Sequence, residues 1–360
     1  MPADRPACLI TGTVSPYRRE PFRLLAAAEG VEVIAYVDAG QPLEGLTVHR
    51  ATQAGAARLV ASGRFGAVIC GLGGRVALPG AYLAARARGL PFVLWATIWA
   101  HPRTAAHLVS RLPTEHLYRH ADAVATYGEH VSRHVEAHRG GRGGVIVAPQ
   151  AVDVDHFGAH VDERRRTDAR ARATAGRAGP LVLFAGRLEA EKGLESLLEA
   201  WRAAQLPGAT LALAGDGPLR GLIPASDASV RALGPIDSEQ LPALYSAADA
   251  LVLPSIRTAT FTEPWGLVVN EAMLQRTPII ASDAVGSVAG GLVRDGRNGL
   301  VFPAGDADAL AARLAVLAGS AELRERLGAR GREDALRLTP AAWANGMAQA
   351  LRAARDGRSR

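Results

Sequence analysis

The stretch Gly186-Arg-Leu-Glu-Ala-Glu-Lys-Gly193 sets an arginine and a lysine between two glycines. It follows the apolar run Leu181–Ala185 and precedes a helix-forming run, Leu194–Arg202. A strand-to-helix loop of this kind can present backbone N–H groups and a helix N-terminus to an anion. A diphosphate suits the two cations, because the Arg187 guanidinium is a planar fork and the Lys192 ammonium a compact point charge. Read alone, the loop is equally a turn carrying solvated charges. Gly215-Asp-Gly-Pro218 follows the run Thr210–Ala214 and is by itself only a turn signal, expected to border the same site.

Glu263-Pro-Trp-Gly-Leu-Val-Val-Asn-Glu271 is the most informative stretch. Pro264 suits the first position of a helix, with Glu263 just before it and Glu271 two turns further along. Carboxylates beside a diphosphate would repel it, so these two are expected to accept hydrogen bonds from sugar hydroxyls. The plain alternative is that Glu263 caps the helix and Glu271 is solvated.

Other constellations are weaker. Asp153-Val-Asp155 is a D-x-D, the pattern of a metal-dependent transferase. Nine of ten histidines fall between His101 and His160, with i,i+4 spacing at His116/His120 and His130/His134/His138. Such spacing can chelate a metal on a helix, but no carboxylate stands as in H-E-x-x-H, and no metal is expected. Gly71-Leu-Gly-Gly74 lacks the third glycine of a dinucleotide loop, since Val76 occupies that place.

The elements that must position these residues are continuous apolar runs alternating with Ala/Leu/Arg helical stretches. The runs are Ala7–Thr11, Val31–Val37, Ala67–Cys70, Phe92–Thr97, Asp122–Thr126 and Val145–Ala148, then Leu181–Ala185, Thr210–Ala214, Asp249–Leu253, Pro278–Ser282 and Gly299–Phe302. Strands buried on both faces of a parallel sheet read this way, and the alternation predicts doubly wound α/β architecture. The expected division is residues 1–160, a surface helix or linker at 161–179, residues 180–338, and a C-terminal helix at 339–360 that can cross back to the first domain. Two such domains would face each other across a cleft lined by the carboxyl ends of strands.

Composition bounds the class. Of 360 residues 48% are hydrophobic and 21% charged, enough for a sizeable core and against global disorder. Cys8 and Cys70 lie in apolar runs and suit a reducing compartment. No run reaches the ~18 apolar residues of a membrane span. The start leads straight into a strand-like run, without the pattern of a secretory signal. These features predict a cytoplasmic protein, and a basic first half opens peripheral association with the inner face of an anionic membrane. The +6 net charge sits in residues 1–150, where 16 Arg face 10 acids. Arg18, Arg19 and Arg23 are the candidates to meet an anionic membrane or a lipid-linked or phosphorylated acceptor. Few aromatics and no recognised motif argue against a nucleic-acid partner. Among 41 Lys and Arg, Lys192 is the only lysine. GC-rich codons account for the arginines, but not for where the one lysine survives.

The second half resembles the retaining GT-B glycosyltransferases of family 4, the glycosyl transferases group 1. The resemblance is carried by Phe184-Ala-Gly-Arg-Leu-Glu-Ala-Glu-Lys-Gly193, Leu213-Ala-Gly-Asp-Gly-Pro218, Tyr245-Ser-Ala-Ala-Asp-Ala-Leu-Val-Leu-Pro-Ser255, Glu263–Met273, Pro278–Asp283 and Asp295–Val301. It implies a GT-B fold and a metal-independent transfer of sugar from a nucleotide-diphosphate donor, UDP- or GDP-linked, to an acceptor hydroxyl of a glycolipid, polysaccharide or natural product. No separate cofactor is implied. By the same resemblance Gly186, Arg187 and Lys192 hold the diphosphate. Glu263 and the backbone of Pro264, Trp265, Gly266, Leu267 and Val268 meet the donor sugar, Glu271 the ribose, and a loop around Arg231–Leu233 the base. In the first half Gly12 would approach the donor phosphate and His101 the reacting sugar, although the family's usual glycine pair is missing after Gly12. Gly286-Ser-Val-Ala-Gly-Gly291 and Pro149-Gln-Ala-Val-Asp153 also depart from the family's phrases. The alternatives are another nucleotide-sugar enzyme of this fold, such as an epimerase or synthase, or a catalytically silent nucleotide-sugar-binding protein.

Overall fold

The computed structural model describes residues 5–101 and 104–357. The chain divides into two compact units, Met1–Ala151 with Thr339–Arg360, and Val152–Leu338. The break falls at Ala151, earlier than the expected residue 160. Of the two readings of residues 161–179, surface helix or linker, the structure shows the helix. Asp162 caps the helix Glu163–Thr174 by accepting from the Arg165 amide at 2.8 Å. That helix buries Ala169, Ala173 and Thr174 within the second unit and packs on the helix Leu241–Ala247.

In the first unit the strands are β1 (Ala7–Thr13), β2 (Val31–Asp38), β3 (Val48–Arg50), β4 (Ala67–Gly71), β5 (Phe92–Ala96), β6 (Ala123–Thr126) and β7 (Val145–Val147). They form one parallel sheet ordered β3-β2-β1-β4-β5-β6-β7. The second unit contains β8 (Leu181–Ala185), β9 (Thr210–Ala214), β10 (Val230–Gly234), β11 (Ala250–Leu253), β12 (Ile279–Ser282) and β13 (Gly299–Phe302). Its parallel sheet is ordered β10-β9-β8-β11-β12-β13, repeating the winding of the first. Each sheet therefore reverses its winding once, between β1 and β4 and between β8 and β11. In open α/β sheets the crevice beyond such a reversal is where ligands bind.

The central strands are buried end to end, as their apolar runs require: β5, β8, β9, β11 and β12 carry no exposed residue. The edge strands β3 and β10 are interrupted by polar residues, Val-His-Arg and Val-Arg-Ala-Leu-Gly, so a search for continuous apolar runs passes over both.

The C-terminal helix Pro340–Asp356 belongs to the first unit. Thr339 caps it at the Ala342 amide, and Pro340 occupies its first turn. Trp343, Met347 and Leu351 are buried in the first unit's core. Glu29, at the end of the helix Pro16–Glu29, pairs with Arg352 at 2.6 Å and Arg355 at 2.9 Å. Gly346 lets this helix approach the sheet closely, since a Cβ there would lie 2.4 Å from the Val147 carbonyl oxygen.

Candidate functional site

The loop after β8 and the loop after β11 flank the winding reversal of the second sheet, and they meet through two side chains. Lys192 donates a hydrogen bond to Oε2 of Glu263. The side chains of Lys192 and Glu263 are 14% and 8% exposed, so this is a largely desolvated pair. The Ser255 hydroxyl donates to the same oxygen at 3.3 Å, and the Phe261 ring lies 5.5 Å from Lys192 Nζ. Sequence reasoning gave Ser255 and Phe261 no role. Their signal is position, since both sit on the loop that leaves β11 at the reversal.

Glycine backbone allows the loops to stack. Gly193 has φ +71°, and a Cβ on it would lie 2.0 Å from the Pro254 carbonyl oxygen. Gly215 has φ +145°, and its Cβ would lie 1.9 Å from the Gly186 carbonyl oxygen. The Gly215 amide in turn donates to the Gly234 carbonyl at 2.8 Å. The Gly-Asp-Gly turn is thus a structural wall of the Gly186–Gly193 loop.

Arg187 faces its own loop. Its side chain is 61% exposed, and its guanidinium pairs with Glu189 at 2.5 Å and Glu191 at 3.7 Å. The Glu189 carboxyl is pushed up, first by its hydrogen bond with Glu191. Glu191 is held low despite its partial burial, by that bond and by Arg187 and Lys192. The cations and acids of this loop therefore form one network, and an incoming anion must draw Arg187 away from two carboxylates.

The helix expected to start at Pro264 starts three residues later and runs Leu267–Leu274. Gly266, with φ +87°, precedes it, and no side chain caps it. The reason lies in the loop before it: the Gly286 and Ser287 amides donate to the Glu263 and Trp265 carbonyls at 3.0 and 2.9 Å, which ties those carbonyls to a neighbouring segment instead of a helical turn. Trp265 is buried, and its indole N–H bonds Asn270 Oδ1 at 2.8 Å, so its side chain serves packing. The amides at Leu267 and Val268 lie in the first turn and have no partner within the helix.

Glu271, on this helix, accepts a 2.6 Å hydrogen bond from the Tyr245 hydroxyl. Burial pushes its carboxyl up to about 7, against the opposing effect of the Tyr245 bond. Leu233 lies in β10 and not in a loop. It lines a cavity of about 310 Å³ with Arg172, Ile236, Gln240 and Leu244.

In the first unit Gly12 lies within β1, where a Cβ would touch the Tyr36 ring at 3.6 Å. His101 is half-buried in the loop after β5. It acts with His138 to hold the His134 imidazole down at about 4, although burial is the larger cause. His116 and His120 stack at 4.1 Å. Among the described residues no group of three or more His, Cys, Asp or Glu is placed to hold a metal ion. No helix there is long and apolar enough to cross a membrane. The three arginines expected to face a membrane have structural engagements: Arg18 is buried, Arg19 donates to the Pro42 carbonyl at 2.7 Å, and Arg23 pairs with Glu20 at 2.5 Å.

Residues 166–334 match the family model described as glycosyl transferases group 1. The sulfoquinovosyl transferase SQD2 of Arabidopsis thaliana is 33% identical over 159 residues, covering 43% of this chain and 30% of that protein. A D-inositol 3-phosphate glycosyltransferase of Nocardia farcinica is 30% identical over 250 residues, 64% of this chain and 52% of its own length. The chain therefore spans about half or less of these curated relatives. Among solved structures, Anabaena Alr3699/HepE in complex with UDP-glucose superposes with a TM-score of 0.76 at 20% identity, covering 96% of this chain and 99% of that one. WaaG, a glycosyltransferase involved in lipopolysaccharide biosynthesis, does so at 0.66 and 16% identity, with 95% and 98% covered. The fold class is thus α/β, GT-B, built from two Rossmann-like doubly wound units.

Proposed function

We propose that this protein is a glycosyltransferase that moves a sugar from a nucleotide-diphosphate donor to an acceptor hydroxyl, without a metal and with retention of anomeric configuration. The observation that carries the reading is the Lys192–Glu263 pair at the winding reversal of the second sheet, next to the uncapped first turn of the helix Leu267–Leu274. A leaving nucleoside diphosphate develops charge as the glycosidic bond breaks. A fixed ammonium and backbone N–H groups stabilise that charge with little reorganisation. Arg187 joins them once its carboxylate partners yield to the diphosphate.

Glu263 holds Lys192 in place and offers its second oxygen to the donor sugar's hydroxyls. Glu271 accepts from the ribose hydroxyls. Neither acts as one of a glycosidase's two catalytic carboxyls, because the leaving phosphate takes the acceptor's proton on the face it departs from. A UDP-sugar is the first donor to test, since the HepE neighbour is seen with UDP-glucose. Peripheral binding to anionic membrane through the basic first unit belongs to the same proposal, and its check is vesicle co-sedimentation that depends on anionic lipid and salt.

A thermal-shift series with UDP-, GDP-, ADP- and dTDP-sugars tests the donor, because a bound ligand raises stability by mass action. One donor family should raise the melting temperature, and turnover should release its nucleotide diphosphate with a product one sugar larger. A response to none of the four would sink the proposal.

A further inference from the structure

Arg18 stands in the first turn of the helix Pro16–Glu29, which leaves β1 beside the winding reversal of the first sheet. It is 7% exposed. Its guanidinium lies 4.2 Å over the Trp95 ring, at the end of β5, and 5.0 Å over Tyr17. One N–H donates to the Tyr127 hydroxyl at 2.6 Å. Among the described residues no carboxylate pairs with this cation.

The arrangement is electrostatically unfavourable in three ways. A buried charge without a counter-charge is costly. A helix N-terminus carries partial positive charge and disfavours a cation, and this first turn contains no acidic residue while Ser15 makes no side-chain cap. A guanidinium has five N–H donors, and one bond to a phenol leaves most of them unused. The neighbours repeat the imbalance. Trp95 and Trp343, with ring centroids 5.5 Å apart, each bury an indole N–H that has no acceptor among the described residues. An oxyanion beside Arg18 would supply both the missing counter-charge and further acceptors for its guanidinium.

We propose that Arg18, Trp95 and Tyr127 form an anion site at the carboxyl edge of the first sheet that takes a phosphate group of the acceptor. Phosphate fits better than a carboxylate, because its oxygens point in tetrahedral directions and can meet donors on rings inclined at 67° to one another. The small exposure of Arg18 limits the site to one such group. Assigning the phosphate to the acceptor rests on the glycosyl-transfer reading; the anion site itself does not.

The test uses the full chain and inorganic phosphate, against chloride at matched ionic strength. Melting temperature and tryptophan fluorescence should both respond saturably to phosphate. Arg18→Met keeps the apolar stem on Trp95 and should weaken phosphate at least tenfold, whereas Lys192→Ala should leave it unchanged. An equal response in Arg18→Met, or a loss confined to Lys192→Ala, overturns the proposal. Should Arg18→Met fail to fold, Arg18→Lys keeps the charge and loses the fork, and unchanged phosphate binding in that variant overturns it as well. Glycerol 3-phosphate, and vesicles of phosphatidylglycerol in phosphatidylcholine, then separate a soluble phosphomonoester from a lipid headgroup. UDP titrated into the wild type keeps the two failures apart: no UDP response defeats the transfer reading, and no Arg18-dependent phosphate response defeats the anion site.

Discussion

The Tyr245 hydroxyl donates a 2.6 Å hydrogen bond to Oε2 of Glu271, tying the helix Leu241–Ala247 to the helix Leu267–Leu274. Tyr245 is fully buried, and burial first, then the Glu271 charge, pushes its phenol well up, so it remains a donor at neutral pH. The bond favours the ionised form of Glu271 against burial. Tyr245→Phe removes that support. The carboxyl should then titrate above about 7, and nucleotide affinity should fall five- to tenfold at neutral pH, the equivalent of one ~1 kcal/mol hydrogen bond. Titrating UDP from pH 6 to 9 checks this. The variant should approach the wild type at the alkaline end, whereas a merely structural role would lower affinity equally at every pH.

Glu271 also sets a pH dependence of stability. Its folded-state value of about 7 lies above its ordinary 4.5, so the folded chain binds the extra proton between those limits. The stabilising contribution is complete below the lower value and is lost as pH rises through about 7. Glu271→Gln, neutral throughout, should therefore gain on the wild type as pH rises from 5 to 8, by ~2 kcal/mol at most given the residue's partial exposure. Urea unfolding at the two pH values reads the difference. A variant that gains nothing between pH 5 and 8 would show that burial does not raise this carboxyl.

The Lys192–Glu263 pair should show the asymmetry of desolvated ion pairs. Lys192→Ala and Glu263→Ala are each expected to abolish transfer and to cost about 2–4 kcal/mol of stability while keeping the fold, because the remaining partner is left buried and uncompensated. The double variant Lys192→Met, Glu263→Gln should be more stable than either single variant and equally inactive. Full activity in either single variant removes these residues from the site. Lys192→Arg is the finer probe: a fork cannot replace a compact ammonium beside Ser255 and Phe261, so activity should drop steeply although the charge stays.

Much of this was legible in the residues themselves. Runs such as Leu181–Ala185 and Phe92–Ala96 announce buried parallel strands because both faces must be apolar. Lys192 and Glu263 could be nominated from loop chemistry, but their meeting across 71 positions depends on the order β8-β11, which no local pattern carries. Tyr245 carries no local signal of its role, since its partner Glu271 lies on another helix. Pro264 misled because its preference for a first helical turn is local, while the Gly286 and Ser287 amides that hold the preceding carbonyls come from beyond β12. Arg18 read as surface charge for the same reason: Trp95 comes from β5 and Tyr127 from just beyond β6, both distant in the chain.

The glycine stacking gives the last expectation. Gly215 and Gly193 both have positive φ, and their missing Cβ atoms make room for the carbonyl oxygens of Gly186 and Pro254. Gly215→Ala and Gly193→Ala each add strain and a backbone clash that no side-chain rotation relieves, at a cost of about 2 kcal/mol or more. The clash pushes directly on the Gly186–Gly193 loop, so Lys192 should move off its position against Glu263. Both variants should therefore lose nucleotide affinity by more than their stability loss explains. Gly305→Ala is the control, since it also has a positive φ, 83°, but nothing lies within 4 Å of its Cβ position. Melting curves with and without UDP separate the effects. If Gly305→Ala loses as much affinity as Gly215→Ala, then strain alone is responsible and the stacked loops do not shape the site.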